Sequence, residues 1–87
     1  MDARVIPAHR FSINNEPMLR GDKRCGCFYC LRTFDPSEIY EWIEDDEKTA
    51  LCPYCGIDSV IGESAGYPLT RDFLEEMNRY WFGTRMA

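Results

Sequence analysis

Five cysteines, at positions 25, 27, 30, 52 and 55, are the residues of this 87-residue chain whose spacing carries chemical meaning. Cys27-Phe28-Tyr29-Cys30 and Cys52-Pro53-Tyr54-Cys55 form two C-x-x-C pairs with 21 residues between them. Two residues between cysteines let the backbone turn tightly, so both sulfurs face one ion and backbone N–H groups point at them. Two such turns complete a tetrahedron with metal–sulfur bonds near ~2.3 Å. The pattern predicts one Zn²⁺ held by Cys27, Cys30, Cys52 and Cys55. Four protein thiolates leave no open position for a substrate water, so the expected ion is structural. Gly56 follows the second pair, where such a turn commonly requires positive φ.

Other groups compete with this assignment. Cys25 stands two residues before Cys27 and is an alternative ligand, in place of Cys27 or within a C-x-C chelate. Only the 27/30 pair mirrors 52/55, which makes Cys25 the spare thiol. His9, the single histidine, is a further donor, though a lone His on an N-terminal segment reads more simply as a polar residue. Cys52-Pro53-Tyr54-Cys55 also looks like the redox-active tetrapeptide of glutaredoxins. Such a catalyst needs its first cysteine at a helix N-terminus, whereas Gly56-Ile57-Asp58-Ser59-Val60-Ile61-Gly62 reads as strand. With one His and no partnered nucleophile, neither an acid–base site nor a triad is expected, and the chain reads as non-enzymatic. Asp58-Ser59, set in an apolar stretch, is read as hydrogen bonding to a turn or knuckle backbone.

These cysteines need elements to place them. Thr49-Ala50-Leu51 is expected to lead into Cys52 as a short strand, and residues 57–61 to leave Cys55 as another. Asp35, Pro36 and Glu38 make a capping-box pattern. Ile39, Trp42 and Ile43 then recur at helical spacing, predicting a short middle helix after Phe34. A second helix is expected over residues 71–82, with Thr70 as N-cap and Gly83 as stop. Phe73, Leu74, Met77 and Trp81 would share its buried face, leaving Tyr80 and Phe82 at the rim. Residues 1–24 form an N-terminal arm of the same domain as residues 25–87. Val5-Ile6 and Phe11-Ser12-Ile13 are candidate short strands there. Asn14-Asn15-Glu16-Pro17 and Arg20-Gly21-Asp22 read as turns. Together these give a single small α+β domain.

Length excludes a Rossmann or barrel enzyme, and a chain this short benefits from a staple. No apolar run approaches the roughly 20 residues of a membrane span. The first residues lack the apolar stretch of a secretory signal, so a reducing cytoplasm is the expected setting, where clustered cysteines are more often metal ligands or redox groups. The net charge is −5, split into +3 over residues 1–32 and −8 over residues 33–87. A bound four-thiolate zinc would add roughly −2. That balance opposes non-specific binding to nucleic acid, although Lys23, Arg24 and Arg32 with Phe28 and Tyr29 could form a small basic-aromatic patch. The run Glu44-Asp45-Asp46-Glu47 is a solvated loop or a docking surface for a basic partner.

The stretch from Cys25 to Phe82 resembles a group of small bacterial zinc-ribbon proteins recorded only as cytoplasmic or hypothetical proteins. The words that carry the resemblance are Cys27-Phe28-Tyr29-Cys30-Leu31-Arg32 and Thr49-Ala50-Leu51-Cys52-Pro53-Tyr54-Cys55-Gly56-Ile57-Asp58-Ser59-Val60-Ile61-Gly62. Gly66-Tyr67-Pro68-Leu69-Thr70 and Tyr80-Trp81-Phe82 add to it. The resemblance implies a four-cysteine zinc ribbon packed with helices and no established activity. From the absence of catalytic groups and the acidic charge, the expected function is binding another protein, as an inhibitor of the immunity type or as an adaptor. The alternative is a nucleic-acid-associated zinc ribbon serving transcription or translation.

Overall fold

The computed structural model describes residues 3–44 and 47–83. Asp45 and Asp46, half of the acidic run, lie outside the described residues.

The N-terminal segment is helical, which corrects the expectation of short strands there. α1 (Val5–Ala8) continues into a 3₁₀ turn over His9–Ser12. Val5 and Ala8 stand three apart, so a helical turn puts both on one face, and both are fully buried. Ser12 Oγ closes the turn by donating to the His9 carbonyl at 2.7 Å. The turn expected around Asn14–Pro17 opens a helical turn instead, α2 (Glu16–Leu19). Pro17 sits in its first turn, where the missing N–H costs nothing.

Five short strands follow: β1 (Cys25–Cys27), β2 (Thr33–Phe34), β3 (Trp42–Glu44), β4 (Lys48–Ala50) and β5 (Val60–Gly62). β1 is the centre of an antiparallel sheet in the order β2-β1-β5, with Cys25 opposite Phe34 and Gly62, and Cys27 opposite Val60. β3 and β4 form a separate hairpin, Trp42 facing Ala50 and Glu44 facing Lys48. The strand expected over residues 57–61 starts later, at Val60. Residues 57–59 are occupied instead with the cysteine turns, the Ile57 carbonyl accepting from Cys52 N–H and the Ser59 carbonyl from Phe28 N–H.

The middle helix is corrected as well. Its capping box forms: Asp35 accepts from Ser37 N–H at 2.9 Å, and Glu38 accepts from Asp35 N–H at 3.0 Å. Only a 3₁₀ turn over Pro36–Glu38 follows, and Ile39 is already extended. A capping box marks where a helix can begin and says nothing about how far it runs. Ile39-Tyr40-Glu41-Trp42-Ile43 is rich in β-branched and aromatic residues, which lose side-chain freedom in a helix and pack well on a pleated surface. Pairing with β4 extends this stretch.

α3 (Arg71–Phe82) forms with the expected limits. Thr70 Oγ1 accepts from Phe73 N–H at 3.2 Å, and Gly83 ends the helix at φ +60°. Phe73, Leu74 and Met77 are buried, and Trp81 is half-buried against them. Each fully buried side chain of this size contributes about 1.5–3 kcal/mol. Trp81 Nε1 donates to the Val5 carbonyl at 2.7 Å, which fastens α3 to α1. One apolar cluster joins α1, the Phe28–Leu31 turn and α3. A second gathers Leu19, Phe34 and Val60 around Cys25, Cys27 and Cys52. No helix among the described residues is long and apolar enough to cross a membrane.

Candidate metal centre

The two C-x-x-C pairs fold into turns of the same design. In the first, Cys27 N–H donates to the Arg32 carbonyl at 2.9 Å and Leu31 N–H to the Cys27 carbonyl at 2.8 Å. In the second, Cys52 N–H donates to the Ile57 carbonyl at 3.0 Å and Gly56 N–H to the Cys52 carbonyl at 2.9 Å. The tyrosine at the third place of each turn, Tyr29 or Tyr54, points its N–H at the sulfur of the first cysteine, 3.4 Å away in both. The residue after the second cysteine has positive φ in both: Leu31 at +68° and Gly56 at +78°. The glycine was legible in the sequence as a turn requirement; the leucine in the same conformation was not.

β1 delivers the first turn and β4 leads into the second, so the turns face each other. The sulfurs of Cys27, Cys30, Cys52 and Cys55 all lie within 4.8 Å of one another. Cys27 and Cys55 are 3.6 Å apart, and Cys30 and Cys52 are 3.7 Å apart. A disulfide needs about 2.05 Å, and all five cysteines are free. Four sulfurs at ~2.3 Å from a central ion would stand about 3.8 Å apart in a tetrahedron. The set is therefore positioned to hold a metal ion. Cys27 and Cys52, the first of each pair, are buried, and Cys30 and Cys55 are half-buried.

The electrostatics fit an ion supplied with positive charge. Burial pushes the Cys27 thiol far up, against the Ser59 hydroxyl and the N–H groups of Cys30 and Tyr29, which favour its thiolate. Burial likewise pushes Cys55 up to about 11. Burial acts upward on Cys52 too, but the N–H groups of Tyr54 and Cys55 and the neighbouring thiols outweigh it and lower the value. Cys52 thus favours ionisation while Cys27 and Cys55 resist it, and a divalent cation bound among the sulfurs resolves that conflict.

The structure does not bring Cys25 or His9 into this group. Cys25 Sγ lies 3.5 Å from the Phe34 carbonyl inside the sheet. Burial and the nearby Cys52, Asp35, Glu38 and Asp22 charges push it up to about 12. The His9 ring packs on Trp81, with centroids 4.0 Å apart, and near Phe28. The next element after Cys55 is the strand β5, not a helix. The residue that sequence reasoning placed only loosely is Ser59. Its fully buried hydroxyl lies 3.0 Å from Cys27 Sγ, so it serves a sulfur rather than the backbone of a turn. A lone serine between Asp58 and Val60 gives no signal of such a partner.

No protein-family model, curated protein or solved structure matches this chain. What the site can do rests on its own geometry.

Proposed function

We propose that this chain is a zinc-stapled, non-catalytic binding module of the zinc-ribbon type, acting by contact with another protein. A compact tetrahedral set of four thiolates suits zinc, and full protein coordination would make the ion's role structural. The observation that carries the protein-binding reading is the aromatic group beside the first cysteine turn. Tyr29 and Phe82 meet edge to face at 4.9 Å, yet remain 43% and 40% exposed; Tyr80, elsewhere on α3 against Trp81, is 42% exposed. Rings held in place by their neighbours offer large contact area with little rotamer freedom left to lose.

The experiment is capture of partners from cell extract with zinc-loaded wild type, Tyr80→Ala and Phe82→Ala. Folded variants should lose a partner that the wild type retains; folded variants that retain every partner sink the interface. A narrower observation favours the nucleic-acid reading: the Arg32 guanidinium lies over the Tyr54 ring at 4.7 Å, a pairing also used to stack bases. Binding to single-stranded DNA or RNA that weakens steeply with salt would support it.

A further inference from the structure

A half-open groove of about 400 Å³, with no cysteine on its lining, lies between α2, the Pro36–Glu38 turn and β3. Leu19, Pro36, Ile39 and Trp42 supply its apolar surface, and Asp22 and Asp35 its carboxylates. Both carboxylates are anchored. Asp22 Oδ2 accepts from Ser64 N–H and Oγ, and Asp35 Oδ1 accepts from Ser37 N–H. Among the described residues the cation on the lining is Arg20, which pairs with Glu16 at 2.7 Å. Its guanidinium lies 5.9 Å from the Trp42 ring, so this indole already receives a cation on its face.

The charged groups on the lining are thus two carboxylates and a cation that is already paired, which leaves the groove negative. A groove with an apolar floor and two fixed carboxylates complements a cation on an aliphatic stem, which is an Arg or Lys side chain. Two carboxylates favour more than one such charge over a single small cation, because single exposed ion pairs bind weakly.

We infer that this groove docks a basic segment of the protein partner, with one Arg or Lys stem on the Leu19, Pro36, Ile39 and Trp42 surface and its cation at Asp22 and Asp35. The inference rests on the reading of the chain as a protein-binding module and names the chemistry of what it binds.

The test titrates the metal-loaded, isotope-labelled full chain with the blocked peptide acetyl-Arg-Leu-Arg-Leu-Lys-Gly-amide and follows the Trp42 indole N–H. The expected result is a saturable shift centred on the groove. Asp22→Asn with Asp35→Asn removes both charges while keeping a carbonyl for Ser64 and Ser37. It should weaken binding about fivefold to tenfold. Ser37→Lys, at an exposed position, plants a competing cation and should also abolish most of the shift. It carries the comparison if the double variant loses its fold. The same peptide with Glu for Arg and Lys binding equally well would overturn the inference. So would spermidine alone producing the same shifts at the same affinity, or shifts indifferent to all three substitutions. Those results leave the Tyr29, Tyr80 and Phe82 surface untouched. Partner capture that ignores Tyr80→Ala and Phe82→Ala would sink that surface without bearing on peptide binding in the groove.

Discussion

Asn15 is 2% exposed and spends its amide in three directions. Its Nδ2 donates to the Phe11 carbonyl at 3.1 Å and the Val60 carbonyl at 2.8 Å, and its Oδ1 accepts from Ala50 N–H at 3.0 Å. One side chain thus ties the N-terminal segment to both strands that frame the second cysteine turn. Asn15→Ala would leave the Ala50 N–H and the Val60 carbonyl buried without a partner, a loss of about 2–4 kcal/mol. A denaturant midpoint on the metal-loaded protein measures it. Asn15→Asp should not rescue, because a carboxylate has no donor for Val60. Leu31 and Gly56 pose a matched question. A Cβ at Gly56 would meet nothing within 4 Å, so Gly56→Ala pays only for its φ of +78°, about 1 kcal/mol. Leu31→Gly relieves the same strain but empties a core position, at about 2–5 kcal/mol. Both variants should melt earlier, Leu31→Gly by the larger margin.

The Pro36–Glu38 turn and the second cysteine turn are joined by the Tyr54 hydroxyl, which donates to Glu38 Oε1. That bond, then the Asp35 N–H, holds the Glu38 carboxyl below its ordinary value; the Ser37 N–H does the same for Asp35. A carboxyl whose pKa is lowered by folding stabilises the fold above its unfolded pKa. That contribution is lost as pH falls through the lowered, folded value. Tyr54→Phe removes the main cause at Glu38. Wild type and variant should therefore differ in Tm near neutral pH and converge toward acid, over the range where metal stays bound. A difference constant with pH would show that the lost hydroxyl does not act through the Glu38 carboxylate. The same region shows which elements could be read from sequence. α3 was legible because Thr70, a stripe of Phe73, Leu74, Met77 and Trp81, and Gly83 all agree. Local signals disagree after Asp35: the cap favours a helix, the residues from Ile39 onward favour a strand, and partner β4, distant in sequence, decides. α1 was missed because Val5 and Ala8 alone are too short a pattern to separate a helical period from a strand. The four sulfurs were legible through local spacing alone. Ser59 and the Asp22–Asp35 groove were not, since tertiary packing assembles both.

For the whole molecule, the sulfur cluster connects β1, β4 and the second apolar cluster, so metal and fold should be lost together. Elemental analysis should find one zinc per chain. Chelation should collapse the far-UV circular dichroism, because metal binding supplies folding free energy on the order of 10 kcal/mol in small zinc domains. Cys52→Ser should do the same at any zinc concentration the cell offers, whereas Cys25→Ser, outside the cluster, should retain zinc and stay folded. Equal damage from the two substitutions would overturn the ligand set. The bond from Trp81 to Val5 spans 76 positions of the chain. A ribosome adding about 5–20 residues per second makes Val5 roughly 4–15 s before Trp81 exists. Through that interval the apolar face of α1 has no helix to lie against, even after both cysteine turns have been synthesised. A stretch of slow codons ahead of residue 71 would therefore prolong the window in which chaperones and proteases can reach the nascent N-terminal segment, and leave the finished protein unchanged.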